Sequence, residues 1–191
     1  MKQIIDYHAP LIEKHGVLKA TGFSRKGQSD RFDIIYEAMK ARTGDSFSIL
    51  DYGCGVGDFA EYLTPAMRYT GIDLNPEFIQ AAHNRFPDKR FYCGDIDTVD
   101  ISEPFDYVIA SGVMCYDLGP KTLDLYKKLI LDLWTFTKNS LIFNVLRSSK
   151  DERNITFENW ELVELIDNPL YSKWSIVADY RENDATIVLR R

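Results

Sequence analysis

The chain has 191 residues, of which 45% are hydrophobic, enough for one sizeable core that buries roughly 70% of the unfolded surface. Its net charge of -6 and pI near 5.1 are spread along the chain, so broad contact with nucleic-acid phosphates is disfavoured and a small substrate suits it better. Cys54, Cys93 and Cys115 contain no C-x-x-C pair, which argues against a disulfide framework and a structural zinc site.

The opening "MKQIIDYHAPLIEKHG" lacks the apolar segment of a signal peptide, and no apolar run reaches the ~18 residues of a membrane span, so a cytoplasmic protein is expected. Residues 1–28 are irregular in pattern and are expected to lie over the open edge of a site. After them Phe32, Ile35, Tyr36 and Met39 follow helical spacing behind a cap-like Ser29, which predicts an amphipathic helix on a sheet.

From residue 47 onward, apolar runs alternate with helical patterns. "FSILDYG", "YTGIDL", "RFYCGD", "FDYVIASG" and "SLIFNVL" read as five buried strands. Helices are expected near Asp58, from Pro76 to Phe86 and from Pro120 to about Lys138, with Pro76 and Pro120 in first turns and Pro87 as a stop. Asp58 with Glu61 reads as a capping box.

Such alternation predicts crossover connections and a mostly parallel sheet. "WSIVADYR" and "ATIVLRR" flank a short gap that suits a hairpin, hence an antiparallel last strand. The expected fold is α/β, Rossmann-like and doubly wound: a mostly parallel seven-stranded sheet with helices on both faces. No repeat or linker divides it, so residues 1–191 are read as one domain, with 1–46 a helical cap and 47–191 the sheet core.

In an open parallel sheet the first strand-to-helix turn borders the ligand crevice, and "DYGCGVGDF" occupies that turn with Gly53, Gly55 and Gly57. Asp51 precedes it and Asp58 follows it, so a pyrophosphate would face two carboxylates while a ligand with a cationic end fits. Asp73 ends the second strand, where an acid accepts from both hydroxyls of a ribose. Asp95 ends the third, suited to an adenine amino group with Leu74 and Ile96 on either side of the ring.

On these residues the chain resembles the class I S-adenosylmethionine-dependent methyltransferases. "ILDYGCGVGDF", "GIDLNPEFIQAA", "YCGDI" and "FDYVIASGVMCY" are similar to four successive motifs of that family, over roughly residues 47–146. The resemblance implies S-adenosyl-L-methionine as cofactor and S-adenosyl-L-homocysteine as product. It places Gly53, Gly55 and Gly57 along the methionine part, Asp51 at its amino group, Asp73 at the ribose, Asp95 at the adenine and Ser111 beside the amino-acid end. Gln28 and Arg31, in "GQSDRF", resemble a segment of small bacterial members, which implies an Arg31 pairing with the cofactor carboxylate.

The fourth motif, "ASGVMCYD", departs from the Asn-Pro-Pro-aromatic signature used on exocyclic amino groups, and no Pro-Cys pair is present, so the expected acceptor is a small molecule. It would be built around by the first 28 residues, "VMCYDLG" and "RSSKDERNITF", with Tyr7, Phe23, Tyr116 and Phe157 as aromatic candidates. A sulfonium already activates its methyl group, so alignment at about 3 to 3.5 Å suffices and a base is optional. Tyr116, Asp117 and His8 are the candidate bases; His8 and His15 lack a third ligand, so no metal is expected. Two other readings stand beside the methyltransferase: a nicotinamide-dependent oxidoreductase and a non-catalytic module that binds the same cofactor.

Overall fold

In the computed structural model, which describes residues 2–20, 24–40, 46–178 and 180–191, the strands form one seven-stranded sheet. They are β1 (Ser48–Tyr52), β2 (Arg68–Asp73), β3 (Arg90–Cys93), β4 (Phe105–Met114), β5 (Thr137–Leu146), β6 (Lys173–Val177) and β7 (Asp184–Arg190). The helices are α1 (Lys2–His15), α2 (Arg25–Lys40), α3 (Pro76–Arg85), α4 (Thr122–Thr135) and α5 (Asn159–Ile166). Strand order is β3-β2-β1-β4-β5-β7-β6. The pairs from β3 to β5 are parallel, while β7 runs antiparallel to both β5 and β6. The doubly wound architecture read from the sequence is therefore the fold, and strand order reverses between β1 and β4.

Side-chain alternation along each strand sorts the core into two layers. Leu50, Val108, Ala110, Leu141, Phe143 and Ile187 point to one face, where Tyr126, Ile130 and Leu133 of α4 and Leu162 and Leu165 of α5 cover them. Ile49, Tyr107, Ile109, Ile142 and Val188 point to the other, beneath Phe32, Ile35 and Met39 of α2 and Ile79 of α3. Because both faces are covered, β1 is buried at every position, Ser48 and Asp51 included. A third cluster joins Leu11 and Ile12 of α1 to Val56, Phe78 and Ala81, seating α1 over the glycine turn and α3.

Several boundaries differ from the sequence reading, each for a local reason. Ser24, not Ser29, starts α2: its Oγ accepts from Gly27 N at 3.1 Å, so the helix begins a turn earlier and Ser29 lies within it, bonded to Tyr62. The helix near Asp58 is a single 3-10 turn, Asp58–Tyr62, with no side-chain cap. Instead of a capping box, Asp58 and Glu61 both take hydrogen bonds from Arg85 of α3.

The irregular N-terminal pattern folds as α1 despite Pro10. The sequence reading missed α5, whose Glu158 and Glu161 form a real capping box ahead of Leu162, Leu165 and Ile166. β6 ends at Val177 and β7 begins at Asp184, a wider separation than the short gap read from the sequence, and no helix of the described residues is long and apolar enough to cross a membrane.

Candidate functional site

The glycine turn owes its shape to backbone bonding. Gly53 N and Cys54 N both donate to Ile72 O, at 2.8 and 2.9 Å, so the chain folds sharply over the end of β2. Gly53, at φ +74°, has no room for a Cβ, which would collide with the side chain of Val113. Gly57 answers to a different constraint: at φ +79° its missing Cβ makes space for Phe91 and Phe86, in the layer behind the turn. Gly57 is thus a packing glycine and does not face the cavity as expected.

The cavity lies above this turn, at the carboxyl ends of β1, β2 and β4. Asp51, Gly53, Gly55, Asp73, Leu74 and Ser111 are all on its wall, with Gln28 from α2 and His8 from α1 closing it. With Tyr116, also on the wall, nine of the residues read as site candidates are therefore brought together. Phe23 lies outside the described residues.

Two carboxylates dominate the electrostatics. Asp51 is 3% exposed and accepts from the Tyr69 hydroxyl at 2.6 Å. Burial pushes its pKa up to about 7 against the lowering effect of that bond, and the nearby Asp73 and Asp58 push the same way. Asp73 accepts from Gly55 N and Asn75 N, both at 2.8 Å, splinting the glycine turn to the start of α3. Burial also raises its pKa, with those backbone bonds opposing. Among the described residues neither pairs with Lys or Arg, and none of the cavity wall is cationic.

Asp51 sets a pH dependence of stability. Its folded pKa is raised, so its contribution is fully present below the ordinary aspartate range, is lost as pH rises to about 7, and is constant above. Asp51→Asn, which keeps an acceptor for Tyr69, should gain on the wild type in urea midpoint as pH rises from 5 to 8. Equal midpoints at both pH values would rule out a buried ionisation at this position.

Other candidates fall elsewhere. Asp95 sits beyond the wall at the end of β3, its Oδ1 accepting from Tyr52 at 2.6 Å and from Ile96 N. Ile96 is 6% exposed and packed in the core, so it is not on the cavity wall that ends at Gly94. Asp117 caps the turn before α4, accepting from Gly119 N and Thr122, and is exposed. That bonding corrects its reading as a base. Phe157 is a core residue, while Tyr7 packs edge-on against Tyr116 beneath the Arg153 guanidinium.

Arg31 is the clearest correction. It makes a bidentate pair with Asp184 of β7, at 3.0 and 2.9 Å, with the two side chains 4% and 0% exposed. Asp184 also accepts from Asn144, whose Oδ1 takes Gly112 N at 2.7 Å. A guanidinium held this way is not on the cavity wall; it locks α2 and the last strand to the Ser111–Val113 wall. No sequence signal links residues 31, 144 and 184.

His8 and Tyr116, separately weak candidates, form a pair. His8 Nδ1 lies 2.8 Å from Ala20 O and Nε2 lies 3.0 Å from the Tyr116 hydroxyl. A carbonyl only accepts, which assigns the proton to Nδ1; the neutral ring then accepts from Tyr116 at Nε2.

A switch-point crevice bearing a glycine turn, with acids ending β1, β2 and β3, defines a Rossmann-like protein for an adenosyl ligand with a cationic end. Residues 49–130 match the methyltransferase domain family. A provisionally named methyltransferase of Mycobacterium tuberculosis is 29% identical over 160 residues, 77% of this chain and 95% of that protein. A malonyl-[acyl-carrier protein] O-methyltransferase of Acetivibrio thermocellus is 29% identical over 114 residues, 56% of this chain but 40% of that protein. In fold, the magnesium protoporphyrin IX methyltransferase of Synechocystis, solved with S-adenosylhomocysteine, superposes with TM-score 0.71 at 13% identity, covering 100% of this chain and 99% of that one. These matches are to class I S-adenosylmethionine-dependent methyltransferases, and they support that activity here, with S-adenosylmethionine as cofactor and S-adenosylhomocysteine as product.

Proposed function

We propose that this methyltransferase acts on a small-molecule acceptor, and that the cavity over the glycine turn is where its cofactor binds. The observation that carries the reading is the buried carboxylate of Asp51 beside the half-buried one of Asp73, with no cationic partner among the described residues. Burying such charges is costly unless a ligand compensates them. An amino group answers Asp51 and ribose hydroxyls answer Asp73. The backbone at Gly53 and Gly55 lies open along the methionine chain, with Ser111 and Gln28 at its end. Leu74 covers one side of the adenine, and Asp95, beyond Gly94, offers its second oxygen to the amino group.

When bound, the cofactor supplies a methyl group already activated by its sulfonium. The chain's contribution is to orient it, exclude water and hold an acceptor in line. Ile4, Ile5, Phe78 and Val113 give the cavity an apolar lining for that purpose. The acidic chain, and a wall without Lys or Arg among the described residues, favour a small acceptor over nucleic acid.

Calorimetric titration with S-adenosylhomocysteine tests the assignment. Affinity should rise between pH 5.5 and 8 as Asp51 ionises, and Asp51→Asn should weaken binding at pH 8 by at least about tenfold while flattening that dependence. PH-independent binding that survives Asp51→Asn would contradict it.

A further inference from the structure

The transfer leaves one chemical requirement unassigned. A hydroxyl that attacks a methyl group must lose its proton as the new bond forms, because otherwise the oxygen carries a positive charge. A neutral amine attacks without help, and a carboxylate acceptor needs a cation to bind it. Among the described residues the cavity wall has no Lys or Arg, so no side-chain cation there favours a carboxylate acceptor. It does have a proton acceptor whose lone pair is arranged by its surroundings.

His8 is 6% exposed, held by Ala20 O on one ring nitrogen and by Tyr116 on the other. Both residues line the cavity, and they are delivered by different elements: α1 and the loop after β4. Phe78 of α3 and Tyr7 of α1 pack edge-on against the imidazole, while Asp73 at the end of β2 is the charge that acts on it. Burial lowers the His8 pKa below its ordinary value, so the ring is neutral and its Nε2 is a hydrogen-bond acceptor at neutral pH. Cys115, next to Tyr116, stays a thiol because burial pushes it up to about 12.

We propose that Tyr116 and His8 are the proton-accepting catalytic pair of this enzyme, and that its acceptor is a neutral molecule presenting a phenol-like hydroxyl to Tyr116 Oη. The inference rests on the cofactor assignment above. As the acceptor oxygen's lone pair bonds to the methyl carbon, the C–S pair leaves on sulfur. The hydroxyl proton passes to Tyr116 Oη as the tyrosine proton passes to His8 Nε2. The pair ends as tyrosine and imidazolium, the latter stabilised by Ala20 O at Nδ1 and by the carboxylate of Asp73. Release of that proton to water resets the pair.

The test uses 4-nitrophenol, whose ionised form absorbs in the visible, added to the S-adenosylhomocysteine complex in buffer acidic enough that the free probe is un-ionised. The wild-type complex should bind the probe and develop the phenolate band. Tyr116→Phe, which preserves the ring packing, and His8→Gln, which retains hydrogen bonding, should bind the probe without the band. Both variants should keep S-adenosylhomocysteine affinity within about threefold, while labelled methyl transfer to phenols should fall about 100-fold or more.

A band that persists in both variants would overturn the proposal, as would failure of the wild-type complex to bind the probe, or methyl transfer confined to amines. A tenfold or greater loss of cofactor-product affinity in both variants would also overturn it, by making the pair a cofactor-holding device. Failure of the wild type to bind S-adenosylhomocysteine would instead refute the cofactor assignment.

Discussion

Asp184→Ala is expected to lower the unfolding free energy by about 3–5 kcal/mol, because it takes away the bidentate carboxylate from the Arg31 guanidinium in a site where the ion pair is almost wholly shielded from water. For a domain of this size that corresponds to a fall in Tm of roughly 10 °C. Asn144 loses an acceptor in the same step, and through it Gly112 N, so the Ser111–Val113 wall loosens as well. Replacing both partners with apolar residues, Arg31→Met with Asp184→Leu, should recover most of the loss, since the desolvation cost disappears with the charges. Chemical denaturation of the single and double variants measures both effects. A single variant within about 1 kcal/mol of the wild type would mean the pair is not the tie between α2 and β7.

Asp73→Ala is expected to weaken S-adenosylhomocysteine binding by about 10- to 100-fold, the effect of losing charge-assisted hydrogen bonds to a ligand. The same carboxylate accepts from Gly55 N and Asn75 N, so this variant also frees the turn that shapes the cavity. Asp73→Asn separates the two roles in part. It keeps an acceptor for one of the two backbone N–H groups, sets its NH2 against the other and removes the charge, so it should recover part of the thermal stability lost in Asp73→Ala while still losing affinity. Calorimetry and thermal melts on both variants give the comparison; unchanged affinity in a folded Asp73→Ala protein would remove Asp73 from the binding site.

The strands were legible because each carries its own signal. β1, β2, β4 and β5 each carry a short apolar run at their centre, as strands covered on both faces do, and Pro76 marks the start of α3 without reference to anything distant. The glycine turn and the acids ending β1 to β3 were legible for the same reason, since strand-end chemistry recurs at short spacing. α5 escaped notice although Glu158 and Glu161 announce it, because the polar run before it reads as a loop. Ser29 was mistaken for a cap because Ser24 sits five residues earlier with the same chemistry.

By itself the sequence determined the layered α/β fold, the place of the ligand turn and the acids around it, since these follow from periodicity and from residues a few positions apart. Only the tertiary structure decided what Arg31 does, that Gly57 serves packing, and that His8 meets Tyr116. Those partners are 153 positions apart for Arg31 and Asp184 and 108 for His8 and Tyr116. A hydrogen bond is chosen by distance and desolvation in the folded core, and neither quantity exists until the sheet has brought the chain ends together.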